Sequence, residues 1–156
     1  MKIERPKRVT RHHVQTLVAP PGDVFPLLCP VREAEWAPGW DPLLVLTDSG
    51  VAEPDCVFVT AGAPHDAIWF VARHEPAEGF VEMLKITPGL TACKLSIRLR
   101  RAGQGSEALV TYSHTSLGPA GDTFVDGFTE ERYAAMMQAW ESHLNDYLRR
   151  RPLPTE

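Results

Sequence analysis

Between Leu43 and Ser116 the sequence carries six strand-like runs, and from Phe128 to Arg151 it contains no Gly or Pro at all. The runs are Leu43 to Thr47, Cys56 to Ala61, Ala67 to Arg73, Phe80 to Thr87, Ala92 to Arg100 and Ala108 to Ser116. Turn-forming residues divide them: Asp48-Ser49-Gly50, Gly62-Ala63-Pro64, Glu75-Pro76 with Gly79, Pro88-Gly89 and Gly103-Gln104-Gly105. Connections this short join antiparallel neighbours, because a parallel return needs a crossover of roughly a dozen residues or more. A meander of that length must curl around something or stack on a second sheet. The one element available to fill the curl is the C-terminal segment, read as a single amphipathic helix from Asp122 to Arg150. Its stripe is Phe124, Phe128, Met136, Trp140, His143, Leu144 and Tyr147.

Ahead of the meander, residues 8 to 18 mix Val9, Val14 and Val18 with Thr10 and Thr16 and lack Gly and Pro, which predicts a further strand. Ala19-Pro20-Pro21-Gly22 ends it, and Asp23 is placed to cap a short helix through Leu28. A second short helix is expected from Pro30 to Trp36, stopped by Ala37-Pro38-Gly39. The fold class is therefore α+β: a curved antiparallel sheet of about six to seven strands around a long C-terminal helix, with two short helices after strand 1. One domain spanning 1–156 is expected, with 1–7 and 151–156 as loose tails.

The chain's 156 residues carry a net charge of -4, which removes broad attraction to phosphate backbones, so no nucleic-acid partner is expected. No apolar run approaches the roughly 20 residues of a membrane span, and no signal peptide is evident, so the expected setting is cytoplasmic, with no membrane partner. Cys29, Cys56 and Cys93 are odd in number and widely spaced, as in a reduced interior. They form no zinc register, and His65-Asp66 and His74-Glu75 sit at separate turns. No metal and no cofactor is expected. Exposed sheet edges would support a homodimer, although no residue pattern marks one.

Leu17-Val18-Ala19-Pro20-Pro21-Gly22-Asp23-Val24-Phe25, the paired short helices, the meander and the C-terminal helix together resemble the START-like, birch-pollen-allergen-like superfamily, SRPBCC. The resemblance spans nearly the whole chain. Cys29 to Trp40, ending Trp36-Ala37-Pro38-Gly39-Trp40, is similar to a tryptophan-rich segment of bacterial polyketide cyclase-like members. What the resemblance implies is a helix-grip fold with a hydrophobic cavity between the sheet and the last helix. Members include lipid and hormone carriers, polyketide cyclases and chaperone-activating domains, so the fold leaves the function class open. The Cys-x-His iron-sulfur signature of the dioxygenase members is absent from this sequence.

Three functions follow as expectations. The first is binding of a small hydrophobic or aromatic molecule in that cavity, by Trp36, Trp40, Trp69, Met83, Tyr112, His114, Phe128, Met136 and Trp140. The second is a cyclase or dehydratase in which Tyr112 and His114, two apart on one strand face, polarise a carbonyl and move a proton, aided by His13. The third is a chaperone-activator-like interaction module whose edge is Trp36 to Trp40. Packing alone also accounts for each of these side chains. The register of the first strand stays open: one alternative turns Arg11, His13, Gln15 and Leu17 inward, the other Val14, Thr16 and Val18.

Overall fold

In the computed structural model, which describes residues 1–151, the alternating runs form one seven-stranded antiparallel sheet. Its strands are β1 (Arg8–Leu17), β2 (Leu44–Leu46), β3 (Val57–Thr60), β4 (Ala67–Glu75), β5 (Phe80–Thr87), β6 (Thr91–Ala102) and β7 (Gly105–Ser116). They lie in the order β1-β7-β6-β5-β4-β3-β2: the six later strands form the meander, and the first strand joins its far side. The register shifts between Val71 and Arg73, an irregularity that bends β4 and helps the sheet curl.

Side chains alternate along each strand, so pairing sets rows on the inner face. Met83, Leu95 and Tyr112 form one such row across β5, β6 and β7, and Phe58 opposes Trp69 across β3 and β4. On β1 the inward set is the one containing Leu17: Gln15 and Leu17 are buried, whereas Val14 and Val18 are exposed. This settles the register and places His12 outside, where its Nδ1 hydrogen-bonds Thr111 Oγ1.

The C-terminal helix is not continuous. α2 (Pro119–Gly127) stops at Phe128, and Thr129 begins α3 (Glu130–Arg150), its Oγ1 accepting from the Arg132 N–H at 3.2 Å. Arg11 on β1 donates from Nε to the Phe128 carbonyl, so an inward cation satisfies a backbone group that the break frees. The break also resets the helical phase. The buried stripe of α3 is Tyr133, Met137, Leu144 and Leu148, and Met136, expected on that stripe, is 41% exposed.

α3 is held to β1 by more than apolar packing. Asn145 accepts from the Val18 N–H and donates to the Thr16 carbonyl, and Glu141 accepts from the Thr16 N–H. These side chains occupy backbone groups that an edge strand would otherwise offer to another chain.

Between β1 and β2, α1 (Pro21–Val24) is followed by 3-10 turns at Phe25–Leu27 and Arg32–Glu35. Asp23 is not the cap of α1. It sits in the first turn and pairs with Arg151 at 2.7 Å. The helix expected from Pro30 to Trp36 is the shorter 3-10 turn. Two residues assigned to tails are tied down: Arg151 by that ion pair, and Lys7 by Asp126 at 2.9 Å. Residues 152–156, assigned to the C-terminal tail, lie outside the described residues.

Candidate functional site

The inner row of the sheet, α3 and the segment from Arg32 to Trp40 enclose a cavity of about 270 Å³. That is close to the lower end of the roughly 300–1,000 Å³ usual for small-molecule sites. Its floor is apolar, with Met83 on β5 and Leu95 and Ile97 on β6. Indoles make its walls: Trp36 and Trp40 from the 32–40 segment, Trp69 from β4 and Trp140 from α3, with Phe58 beside them. Ala37, Pro38 and His143 form the mouth, Pro38 and His143 being exposed.

The walls are fixed by hydrogen bonds to protein acceptors. Trp36 Nε1 donates to the Leu27 carbonyl, Trp40 Nε1 to the Pro30 carbonyl and Trp69 Nε1 to Thr60 Oγ1. Trp36 and Trp140 stack with planes 2° apart, and Phe58 and Trp69 with planes 14° apart. The segment expected to be an interaction edge, Trp36 to Trp40, is thus a cavity wall. Its turn is latched to α3, because Tyr147 donates from its hydroxyl to Glu35 Oε1 at 2.6 Å and Arg32 pairs with Glu35.

Glu33 and Tyr112 bring polar groups to this apolar space, and the Trp140 indole N–H lies buried in its wall. The Glu33 carboxyl makes no hydrogen bond or ion pair among the described residues, since the Arg32 guanidinium beside it is committed to Glu35. Burial pushes it up to about 8. The Trp140 indole N–H is the buried side-chain polar atom that lacks a partner among the described residues. The Tyr112 hydroxyl is raised well above its ordinary range by burial, with nearby Cys93 and Glu33 adding to the effect.

Glu33 was not singled out in the sequence. A signal for it exists: it stands three residues before Trp36, and on a helical turn that spacing puts both on one face. Trp36, Trp40, Trp69, Met83, Tyr112 and Trp140 line the cavity. Four other candidates do not. Met136 points to solvent because of the break before α3. His13 faces inward but meets Tyr133 near the start of α3, with ring centroids 6.4 Å apart, and borders a separate depression there.

His114 shares the inner face with Tyr112 but is walled off. Phe124 and Phe128 each pack 4.8 Å from its ring, and a 3.1 Å hydrogen bond joins its Nδ1 to Thr91 Oγ1. Burial, with Lys85 nearby, pushes it down to about 4, so the imidazole is neutral. Phe128 belongs to this aromatic plug. Tyr112 and His114 therefore do not converge on one cavity. No cluster of His, Cys, Asp and Glu among the described residues has the geometry of a metal site, and Cys29, Cys56 and Cys93 are buried and free.

A curved antiparallel sheet gripping a C-terminal helix over an internal cavity defines the helix-grip class of protein. No protein-family model and no protein of curated function matches the sequence. Solved structures match the fold along nearly its full length. Norcoclaurine synthase from Thalictrum flavum, in complex with dopamine and hydroxybenzaldehyde, superposes with a TM-score of 0.66 at 14% identity over 95% of this chain and 91% of that one. CalU16 from Micromonospora echinospora gives 0.58 at 17% identity, over 97% and 88%. Ara h 8.0201 gives 0.62 at 13% identity, over 91% and 98%. The fold is that of the START-like, birch-pollen-allergen-like superfamily, as the sequence resemblance implied.

Proposed function

We propose that the protein binds a small, flat, largely apolar molecule, of aromatic character, in the cavity between the sheet, α3 and the 32–40 segment. The observation that carries this reading is the wall of four indoles around an apolar floor, three of them with their N–H groups tied to protein acceptors. An apolar cavity of about 150 Å³ accepts one benzene ring, so 270 Å³ suits a molecule of about two fused rings. Burying such a surface against rigid indoles gains hydrophobic and stacking energy at little entropic cost to the protein.

Native mass spectrometry of protein purified from its own host, compared with the denatured mass, tests for a retained ligand. Titration with naphthylmethanol, followed by tryptophan fluorescence, tests the cavity directly. Binding in wild type and its loss in Met83→Trp, where an indole fills the floor, is the expected result. No retained molecule together with no naphthylmethanol binding overturns the proposal.

A further inference from the structure

The polar groups of the cavity are unevenly signed. Its walls are four indoles, Phe58 and Tyr112, and its one carboxyl is Glu33. No Lys or Arg lines it, although Lys85 on the inner face of β5 stands with Nζ 4.8 Å from the Trp69 ring. The one charged group that lines the cavity itself is a carboxyl, so an organic anion would meet a like charge there. A cation would meet aromatic faces and a carboxylate together, the combination that recognises ammonium groups.

We infer that the ligand of this cavity is an aromatic amine, its ammonium held by Glu33 among the aromatic side chains that line the space. The inference rests on the cavity-binding reading above and names the ligand class for it. Apolar neighbours favour the neutral acid of Glu33 in the empty protein, although the side chain keeps part of its surface open, so an arriving ammonium ionises it and the carboxyl proton leaves to solvent. The other titratable groups facing Glu33 are Tyr112 from β7 and His143 from α3; on its own turn Arg32 and Glu35 neutralise each other. On the same inner face β5 also carries Lys85, 4.8 Å from the Trp69 ring, and β6 carries Cys93, both of them outside the cavity lining.

Naphthylmethylamine and naphthylmethanol, which share shape and differ in charge, separate this inference from the reading it rests on. Titrated by calorimetry from pH 6 to 8, the amine should gain affinity by up to about tenfold per pH unit and release a proton on binding, while the alcohol stays flat. Glu33→Gln should erase the difference between the two and its pH dependence. Equal binding of amine and alcohol, or a preference that survives Glu33→Gln, overturns the assignment of Glu33 while leaving the cavity reading intact. Binding of neither overturns both.

A second, independent observation lies on the convex face. Leu44, Val59, Ile68 and Ile86 form one cross-strand row on β2 to β5, and Leu46, Val57, Phe70 and Leu84 form the next. Leu46, Ile68 and Leu44 are 55%, 49% and 47% exposed. No charged side chain interrupts the two rows, whereas the same face turns mixed on β6 and β7, where Lys94, Ser96, Arg98, Thr111 and Ser113 stand among Ala92 and Leu109. The exposed apolar area is on the order of 500 Å², at the upper end for a monomer's largest patch and most of the roughly 800 Å² per partner of a stable interface.

The geometry points to a second copy of this chain as the occupant. A uniformly apolar patch needs no complementary charge and meets itself across a two-fold axis. Light scattering after size exclusion should give about twice the chain's 17.3 kDa. Ile68→Lys combined with Leu84→Lys should give a monomer with unchanged circular dichroism and naphthylmethanol binding. A monomeric wild type, or a dimer that survives the double substitution, overturns it; a wild type that elutes only with a different protein does so as well.

Discussion

Replacing Glu33 by Gln should make the protein more stable, by an amount that grows as pH rises from 5 through neutrality. The carboxyl moves from 4.5 to about 8 because the fold takes it out of water without giving it a partner. Between those values the folded chain binds more protons than the unfolded chain at this site, so stability falls as pH rises through that window and levels off above it. At about 1.4 kcal/mol per pH unit the ceiling is roughly 5 kcal/mol. Glu33 lines a cavity with a solvent-facing mouth, and water entering it screens the charge, so about 2 kcal/mol is the working figure. For a chain of this length that corresponds to roughly 4–8 °C in Tm. Thermal melts of wild type and Glu33→Gln from pH 5 to 9 supply the test. Subtracting the two curves cancels His143 and every other group they share. The difference should be near zero at pH 5, grow through neutrality and plateau above pH 8. Parallel curves across the range would refute the claim that Glu33 is a desolvated, unpaired carboxyl.

At the acid end the controlling group is His114. Burial holds it near 4 in the fold, so the stability it contributes is present above its ordinary value of 6.5 and lost as pH falls through 4. His114→Gln should therefore flatten the acid limb of the Tm profile by roughly 2 kcal/mol at pH 4, and an unchanged limb would be inconsistent with a neutral buried imidazole. Met137→Ala should cost about 2–4 kcal/mol in urea denaturation, against about 0.5 or less for Met136→Ala; equal costs would contradict the helical phase described above. Tyr133→Phe, which deletes the 2.6 Å hydrogen bond to the Val110 carbonyl, should cost about 1–2 kcal/mol by the same assay. Thr129→Ala should cost about 1 kcal/mol and Thr129→Asp much less, since either oxygen can cap α3.

The strands were legible because their signals are local. β5 has the bounds expected from its β-branched and aromatic run between turns, and the other strands differ by a few residues at their ends. The interrupted helix was less visible. Gly127-Phe128-Thr129 reads as three tolerable helix residues until Arg11, more than a hundred residues away, satisfies the Phe128 carbonyl and makes the break affordable. Counting one phase from Phe124 through Trp140 then put Met136 where Met137 belongs. The tryptophans announced an aromatic site by their number. Glu33 could not be announced that way, because a carboxyl in a polar-looking Arg-Glu-Ala-Glu stretch is ordinary, and its isolation depends on Arg32 turning to Glu35 and on α3 closing over it. His114 failed as a partner for Tyr112 because sharing a strand face does not fix what packs on that face.

The first strand waits longest for its partners. Arg8 pairs with Thr115, and the backbone of Thr16 and Val18 is satisfied by Glu141 and Asn145, so none of its long-range bonds can form until most of the chain exists. During synthesis the other strands of the meander can pair in sequence as they emerge, while β1 remains an open edge near the start of the nascent chain. The helix that closes the cavity is also the one that retires that edge. A chain cut short before Glu141 would leave its cavity open and display an unprotected strand in the same event, so for this fold premature termination and aggregation hazard are coupled by construction.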